Sequence, residues 1–436
     1  MILKRNMICF FISCIFTSLV VILYEIWLPF SFVLGIFLYI TILFVSHYWQ
    51  RARLEAAEYY DATAYLEQLL CSYKRFGQLK QALEDCCSVF SENGKMGNRL
   101  KQALHILKTG EDVMDKNIAR TALKQIESGY KSRRMETIHD FLCEAEQTGG
   151  NREDAIEILI QDLQMWKQRT ALYQKQKGYL RTETAVAIVL AIVMCYVSRF
   201  LTPDELGIDL TETMLYQFTT CMVFFAFFLS LILVWKKLTG SWIDCYEQDD
   251  KKTLDRKKRL YCILKGELKA NCLQKHLAQK ICRREVEVEY PYWLLNMSLK
   301  LQTESVYNAA KQSIQGRCGI LADEVRNLIQ NIYQEPMALR PYTEFFKELR
   351  LPEVQSGMKI LYSITQNGFD ESGRQINFLI AQNNQLIDRA EKKKYENQTA
   401  GLGLLKHLPM MLACVKLLAD LVNLLMLTMG AFQNIL

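Results

Sequence analysis

The sequence is poor in residues that punctuate or catalyse. Seven prolines are spread over 436 residues, and the stretch 47–182 contains none. Proline removes a backbone donor and breaks helix interiors, so this scarcity suits long uninterrupted helices. Valine and isoleucine do not alternate with polar residues for long, which argues against strands. "EVEVEY" at 285–290 is the one alternating run, and it is too short to build a sheet.

Motifs that carry chemistry are also missing. There is no G-x-x-x-x-G-K-[ST], and "GKMGNR" lacks that spacing; nor is there a G-x-G-x-x-G, an H-E-x-x-H or a G-x-S-x-G. The five histidines (His47, His105, His139, His276 and His407) stand singly. The carboxylate pairs Glu111–Asp112 and Glu153–Asp154 fall where helices are expected to start and where negative charge favours the helix dipole. The fourteen cysteines include no C-x-x-C, and the adjacent Cys86–Cys87 has no histidine or cysteine at metal-ligand spacing. Both read as small buried residues. With no convergent set of catalytic groups, neither an enzyme nor a cofactor is expected. The net charge of +6 is modest and calls for no nucleic-acid partner.

What the chain does have is apolar length. Half of its residues are hydrophobic and 23% are charged, and the two classes are segregated. Residues 7–24 and 27–45 contain no charged side chain, and further apolar stretches lie at 184–198, 214–235 and 407–430. A membrane-spanning helix needs about 20 apolar residues, so 7–45 is read as a hairpin turning around Glu25 and Pro29. The chain is therefore expected to cross a membrane five times. "MILKRN" could open a signal peptide, but no small-residue cleavage site precedes the next apolar run, so an uncleaved anchor is expected.

Charge asymmetry sets the expected topology. Lys4, Arg5, Arg51, Arg53, Arg181, Lys236, Lys237 and Lys392–Lys394 flank one end of the spans, whereas the connections around Glu25 and at 201–213 hold no lysine or arginine. Basic residues stay inside. The N-terminus and both polar regions are thus expected in the cytoplasm, with the C-terminus outside. Nine cysteines fall in the regions assigned to the reducing side and none in an outer loop, which agrees.

The last apolar stretch, "HLPMMLACVKLLADLVNLLMLTMG", carries Lys416 and Asp420 in its middle. Charges at bilayer depth usually face protein or water. Four residues apart on a helix, these two share a face and can pair, and Asn423 extends the stripe. The three residues read as a polar contact, either neutralised inside a helix bundle or meeting a moving partner.

The expected architecture is all-α: a transmembrane hairpin at 1–46, a cytoplasmic helical domain at 47–182, a second hairpin at 183–235, a second helical domain at 236–402 and a last membrane helix at 403–436. Apolar positions recur at helical spacing, as at Tyr65, Leu66, Leu69 and Leu70. Residues 249–269 read as a charged helix continuing span four, or as a charged linker. The two polar regions share a layout in which a helix, a glycine turn and a long helix lead into a span. Gly149 and Gly150 mark the first turn and Gly368 the second, with Asn151 and Asp370 placed to cap the following helices.

Several ordered pieces carry a resemblance: "FLCEAEQTGGNREDAIEILIQDL" before span three, "YPYWLLNMSLKLQTESVYNAAKQS", "LRPYTEFFKELRLPEVQSGMKILYSITQNG" and the "LPMMLACVKLLADLVNLLM" tail. Over roughly residues 50–436 the chain resembles the type II secretion system F-domain family, the inner-membrane platform proteins of type II secretion, type IV pili and Flp (Tad) pili. The N-terminal hairpin looks more like the Flp type, although here two halves lie in one chain. The resemblance implies two F-type domains and no catalytic residues. It also implies, as partners, a cytoplasmic hexameric secretion ATPase and pilin or pseudopilin subunits in membrane lipid, while the helix faces that the two halves leave unassigned favour a homo-oligomer. A membrane component of a transporter served by a separate ATPase is the alternative. It would need a continuous polar path, and only span five offers such residues. A receptor would need a larger outer region than 201–213.

Overall fold

A computed structural model describes residues 2–91, 94–110, 118–130, 132–148, 153–197, 210–239, 251–302, 304–314, 318–367 and 369–433. Gly149, Gly150, Asn151 and Gly368 lie outside these residues. Among the described residues the chain is helical throughout, with no strand. "EVEVEY" lies inside a helix.

The helices in order are α1 (Ile2–Tyr24), α2 (Leu28–Phe76), α3 (Leu79–Val89), α4 (Lys95–Gly110), α5 (Ile118–Glu127), α6 (Arg133–Thr148) and α7 (Glu153–Val197). They continue with α8 (Met214–Leu238), α9 (Lys251–Lys265), α10 (Cys272–Lys300), α11 (Val306–Ser313), α12 (Ile320–Gln334), α13 (Arg340–Glu344), α14 (Pro352–Asn367), α15 (Phe369–Thr399) and α16 (Leu402–Gln433). The chain divides into two compact units: one of Met1–Tyr59, Thr170–Trp242 and Tyr395–Leu436, the other of Tyr60–Arg169 and Ile243–Lys394.

The first unit is apolar. Five helical stretches are long and apolar enough to cross a membrane, the last of them ending in α16. Val20, Tyr24, Leu34, Leu38, Phe224 and Phe227 form its core, with Ala191, Cys195 and Ala413 where helices approach closely. Small residues at such contacts let backbones come together. Phe37 stacks on Phe225 with ring centroids 4.0 Å apart. Large apolar side chains such as Ile15, Ile22, Phe32 and Met214 point outward, an arrangement that costs little in lipid and much in water. The hairpin turns at Glu25, whose φ is +49°. Pro29 lies in the first turn of α2 rather than in the bend, a place where its missing N–H costs nothing.

The second unit joins the two regions expected as separate domains, so 60–169 and 243–394 share one body. Tyr65, Leu66, Leu69 and Leu70 are fully buried in it. Arg134 of α6 explains part of the union. Its guanidinium meets Asp162 of α7 at 3.1 Å and Glu391 of α15 at 2.8 Å, while Arg169 Nε lies 2.7 Å from the other oxygen of Glu391. Tyr292 of α10 adds its ring to Arg134 at 5.5 Å and donates its hydroxyl to Glu391 at 3.4 Å. All four charged side chains are nearly removed from solvent.

Three boundaries differ from expectation. Within the charged run 249–269, Lys251–Lys265 form α9, while α8 ends at Leu238 with the N–H of its C-cap Thr239 returning to the Trp235 carbonyl. Asp370 falls inside the first turn of α15 instead of preceding it, since the helix begins at Phe369. Of the shared layout the described residues show the helices: α6 and α14, each of 16 residues, precede the long helices α7 and α15. The two long helices differ, however. α7 runs unbroken from Glu153 to Val197, whereas α15 stops at Thr399 and α16 starts at Leu402. Gly401 adopts φ +80° at this break, and the Lys237 ammonium donates to the Ala400 carbonyl at 2.8 Å.

Candidate functional site

Among its described residues the apolar unit carries a buried polar cluster, and all three residues singled out in span five belong to it. Lys416 Nζ lies 2.5 Å from Asp420 Oδ2, and both side chains are closed to solvent. The same ammonium sits 4.3 Å from the centre of the Tyr216 ring, where the ring quadrupole favours a cation. Asn423 donates its side-chain amide to Thr213 Oγ1 at 2.7 Å.

Thr213 shows how the site is built. It is the N-cap of α8, its hydroxyl accepting from the Tyr216 amide at 3.3 Å and donating to the Leu210 carbonyl at 2.9 Å. One hydroxyl therefore caps α8 and holds α16. Gln217, fully buried one residue past Tyr216, donates to the carbonyls of Glu25 and Thr211, each at 2.8 Å. Its own oxygen accepts from the Trp27 amide at 3.0 Å. Thr211 donates to the Glu25 carboxylate at 2.9 Å. The α1–α2 turn, the short 3-10 turn Leu210–Glu212, the first turn of α8 and the middle of α16 are thus tied into one hydrogen-bonded knot.

The position of the knot qualifies the sequence reading. Lys416 is central in its own apolar stretch, yet the ring it meets belongs to the first turn of α8. Because α16 runs antiparallel to α8, with Leu402 beside Leu238 and Asn423 beside Thr213, it continues past α8 to Gln433. The charges lie near the end of α8 and point inward. Lys416 and Asp420 are buried among residues of their own unit.

No family model, curated protein or solved structure matches this chain.

A second buried polar group lies in the other unit and was missed in the sequence, where His139 is one of five isolated histidines. His139 is fully buried, with Nε2 at 3.0 Å from the Tyr65 hydroxyl and Nδ1 at 2.9 Å from Glu127. Arg120 bridges Glu127 and Asp140 at 2.5 and 3.0 Å. Its only sequence signal is a histidine on the buried stripe of α6.

Burial lowers the His139 pKa below 6.5, against the pull of Glu127. Burial raises the Glu127 carboxyl, yet its hydrogen bond to His139 and the nearby Arg120 leave it below 4.5. Thiols outside the spans are pushed the other way: burial lifts Cys86 to about 12 and Cys143 to about 11. Both therefore stay protonated and are poor nucleophiles. Cys86 is buried as expected, but Cys87 is only half-buried. Among the described residues no three metal-ligating side chains converge.

The histidine carries a pH prediction. Its folded pKa lies below the unfolded value, so the unfolded chain binds more protons and stability rises with pH across that window. The contribution is complete above 6.5 and is lost as the pH falls through the folded value. Glu127 shifts in the same direction but acts only below 4.5. The apparent melting temperature of the purified protein is expected to fall between roughly pH 7.5 and pH 5.5. His139→Phe should be less stable at neutral pH and flatter across this range. A slope unchanged in that variant would assign the effect to other groups.

Proposed function

We propose that the protein is a platform of the bacterial cytoplasmic membrane, in a type II secretion, type IV pilus or Flp (Tad) pilus assembly machine. In this reading it couples a cytoplasmic secretion ATPase to the assembly of pilin or pseudopilin subunits. The observation that carries it is the repeated module of α6–α7 and α14–α15, in which a 16-residue helix is followed by a long one that leads to an apolar span. This is the layout of the F-domain proteins that the sequence resembles. In this reading the N-terminus and the charged helical unit lie in the cytoplasm and the C-terminus outside.

Physical considerations support the same division of labour. A large charged helical unit offers grooves in which partner helices and loops dock, while the apolar unit meets lipid. α7, unbroken from Glu153 to Val197, is the stiffer of the two connections. The other can bend at Gly401, where α15 and α16 meet. Movements of an ATPase would turn or shift span three directly and span five through this joint.

The test is affinity purification of the tagged full chain from gently solubilised membranes, followed by mass spectrometry. Recovery of a Walker-motif secretion ATPase or a pilin-like subunit is the expected result. Intact protein free of both, under conditions that preserve other membrane complexes, would overturn the platform reading. Recovery of a different ATPase with a solute-binding partner would point to a transporter component instead.

A further inference from the structure

A groove of about 1190 Å³ opens between α1, α2, α7 and α8, wholly within the apolar unit. It is larger than the roughly 300–1,000 Å³ typical of small-molecule pockets. Its walls are apolar, and the charged side chains that line it are both arginines, Arg5 and Arg53. They stand together at one end, since α1 begins where the apolar part of α2 finishes. Arg5 donates to Gln50 and Arg53 stacks on the Trp49 ring at 3.6 Å, while the Arg5 Nε is buried without a hydrogen-bond partner. Neither arginine has a carboxylate partner among the described residues.

The length of the groove identifies its occupant. Along α1 it extends from Arg5 to Phe16, about 16 Å at 1.5 Å per residue, and along α2 from Arg53 to Leu38, about 22 Å. One leaflet of a bilayer offers about 15 Å of hydrocarbon, half of a core roughly 30 Å thick. Beyond Phe16 the hairpin is packed shut, with Val20, Tyr24 and Leu34 buried against Ala191 and Cys195. A partner's membrane helix would need the full depth, whereas one lipid needs a single leaflet and a charged end for its headgroup. Basic pockets between membrane helices bind anionic headgroups, and tryptophan belongs at that interfacial level.

We propose that this groove is a binding site for one anionic glycerophospholipid. Its acyl chains lie along α1 and α7, and its phosphate is held by Arg5 and Arg53 beside Trp49 and Gln50. The inference rests on the membrane-spanning part of the reading above and not on the assembly role.

Native mass spectrometry of the full chain in mild detergent tests it, with phosphatidylglycerol and phosphatidylethanolamine of identical acyl chains added in parallel. The wild type should retain one phosphatidylglycerol about tenfold more strongly than phosphatidylethanolamine. Arg5→Gln/Arg53→Gln should lose that preference, whereas Arg51→Gln, outside the groove, should keep it. Val189→Trp, which fills the groove from α7, should retain neither lipid. Inorganic phosphate should not displace the bound lipid. Equal retention of the two lipids, an unchanged preference in the double variant, or displacement by phosphate would overturn the proposal. So would a dimer mass replacing the lipid adduct, which would mean that a second copy covers the groove. Release of the chain from membranes by alkaline carbonate would instead remove the spanning reading itself.

Discussion

Asp420→Leu is expected to be among the most damaging single changes in the apolar unit. Among the described residues Asp420 is the acid that meets Lys416, and both are closed to solvent. Removing one partner of a buried pair leaves an uncompensated charge, at a cost of about 3–5 kcal/mol. The Tyr216 ring offsets part of this but cannot replace a carboxylate. The double variant Lys416→Leu/Asp420→Leu should recover most of the loss, because two leucines of similar bulk need no counter-charge. The apparent melting temperature in mild detergent, together with the level of protein in the membrane, reads both. A double variant as unstable as Asp420→Leu alone would mean that the aspartate acts through something other than Lys416. If the double variant is stable and abundant but no longer supports assembly of a filament, the stripe has a role beyond holding α16 to α8.

Arg134→Leu should cost the helical unit a similar amount, again about 3–5 kcal/mol. One guanidinium satisfies Asp162 and Glu391, from α7 and α15, and lies 4.9 Å from the centre of the Trp166 ring. Its loss leaves Glu391 with Arg169 and the Tyr292 hydroxyl, and Asp162 with Arg169 at 3.9 Å. Arg134→Lys should be intermediate, because an ammonium supplies charge without the planar fork that reaches two carboxylates. Thermal melts followed by circular dichroism rank the three proteins. Near-identical melting of wild type and Arg134→Leu would show that the acids relax to water, and the union of the two helical regions would then rest on apolar packing.

Much of this was legible in the chain. The all-α class follows from the scarcity of proline and the helical recurrence of apolar residues, since both act over a few neighbouring positions. The five apolar stretches follow from length and composition, and the hairpin at Glu25 from a charged residue between two uncharged runs. The pairing of Lys416 with Asp420 was also readable, because four residues on a helix bring two side chains to one face whatever surrounds them.

What the sequence could not determine concerns partners distant in the chain. No local rule joins Arg134 to Glu391 or places Asn423 on the cap of α8. The sequence accordingly suggested two helical domains where the structure has one unit. Nor does hydropathy reveal register. Only the antiparallel packing of α16 on α8 brought Lys416 level with the first turn of that helix rather than with its middle. His139 is silent in sequence for the same reason, since an isolated histidine gains its neighbours, and hence its lowered pKa, only when α6 is buried. Composition and periodicity are properties of neighbours along the chain, and they determined the helices and the division into apolar and charged parts. Which charges meet, and at what depth, depends on long-range packing, and the tertiary structure alone decided it.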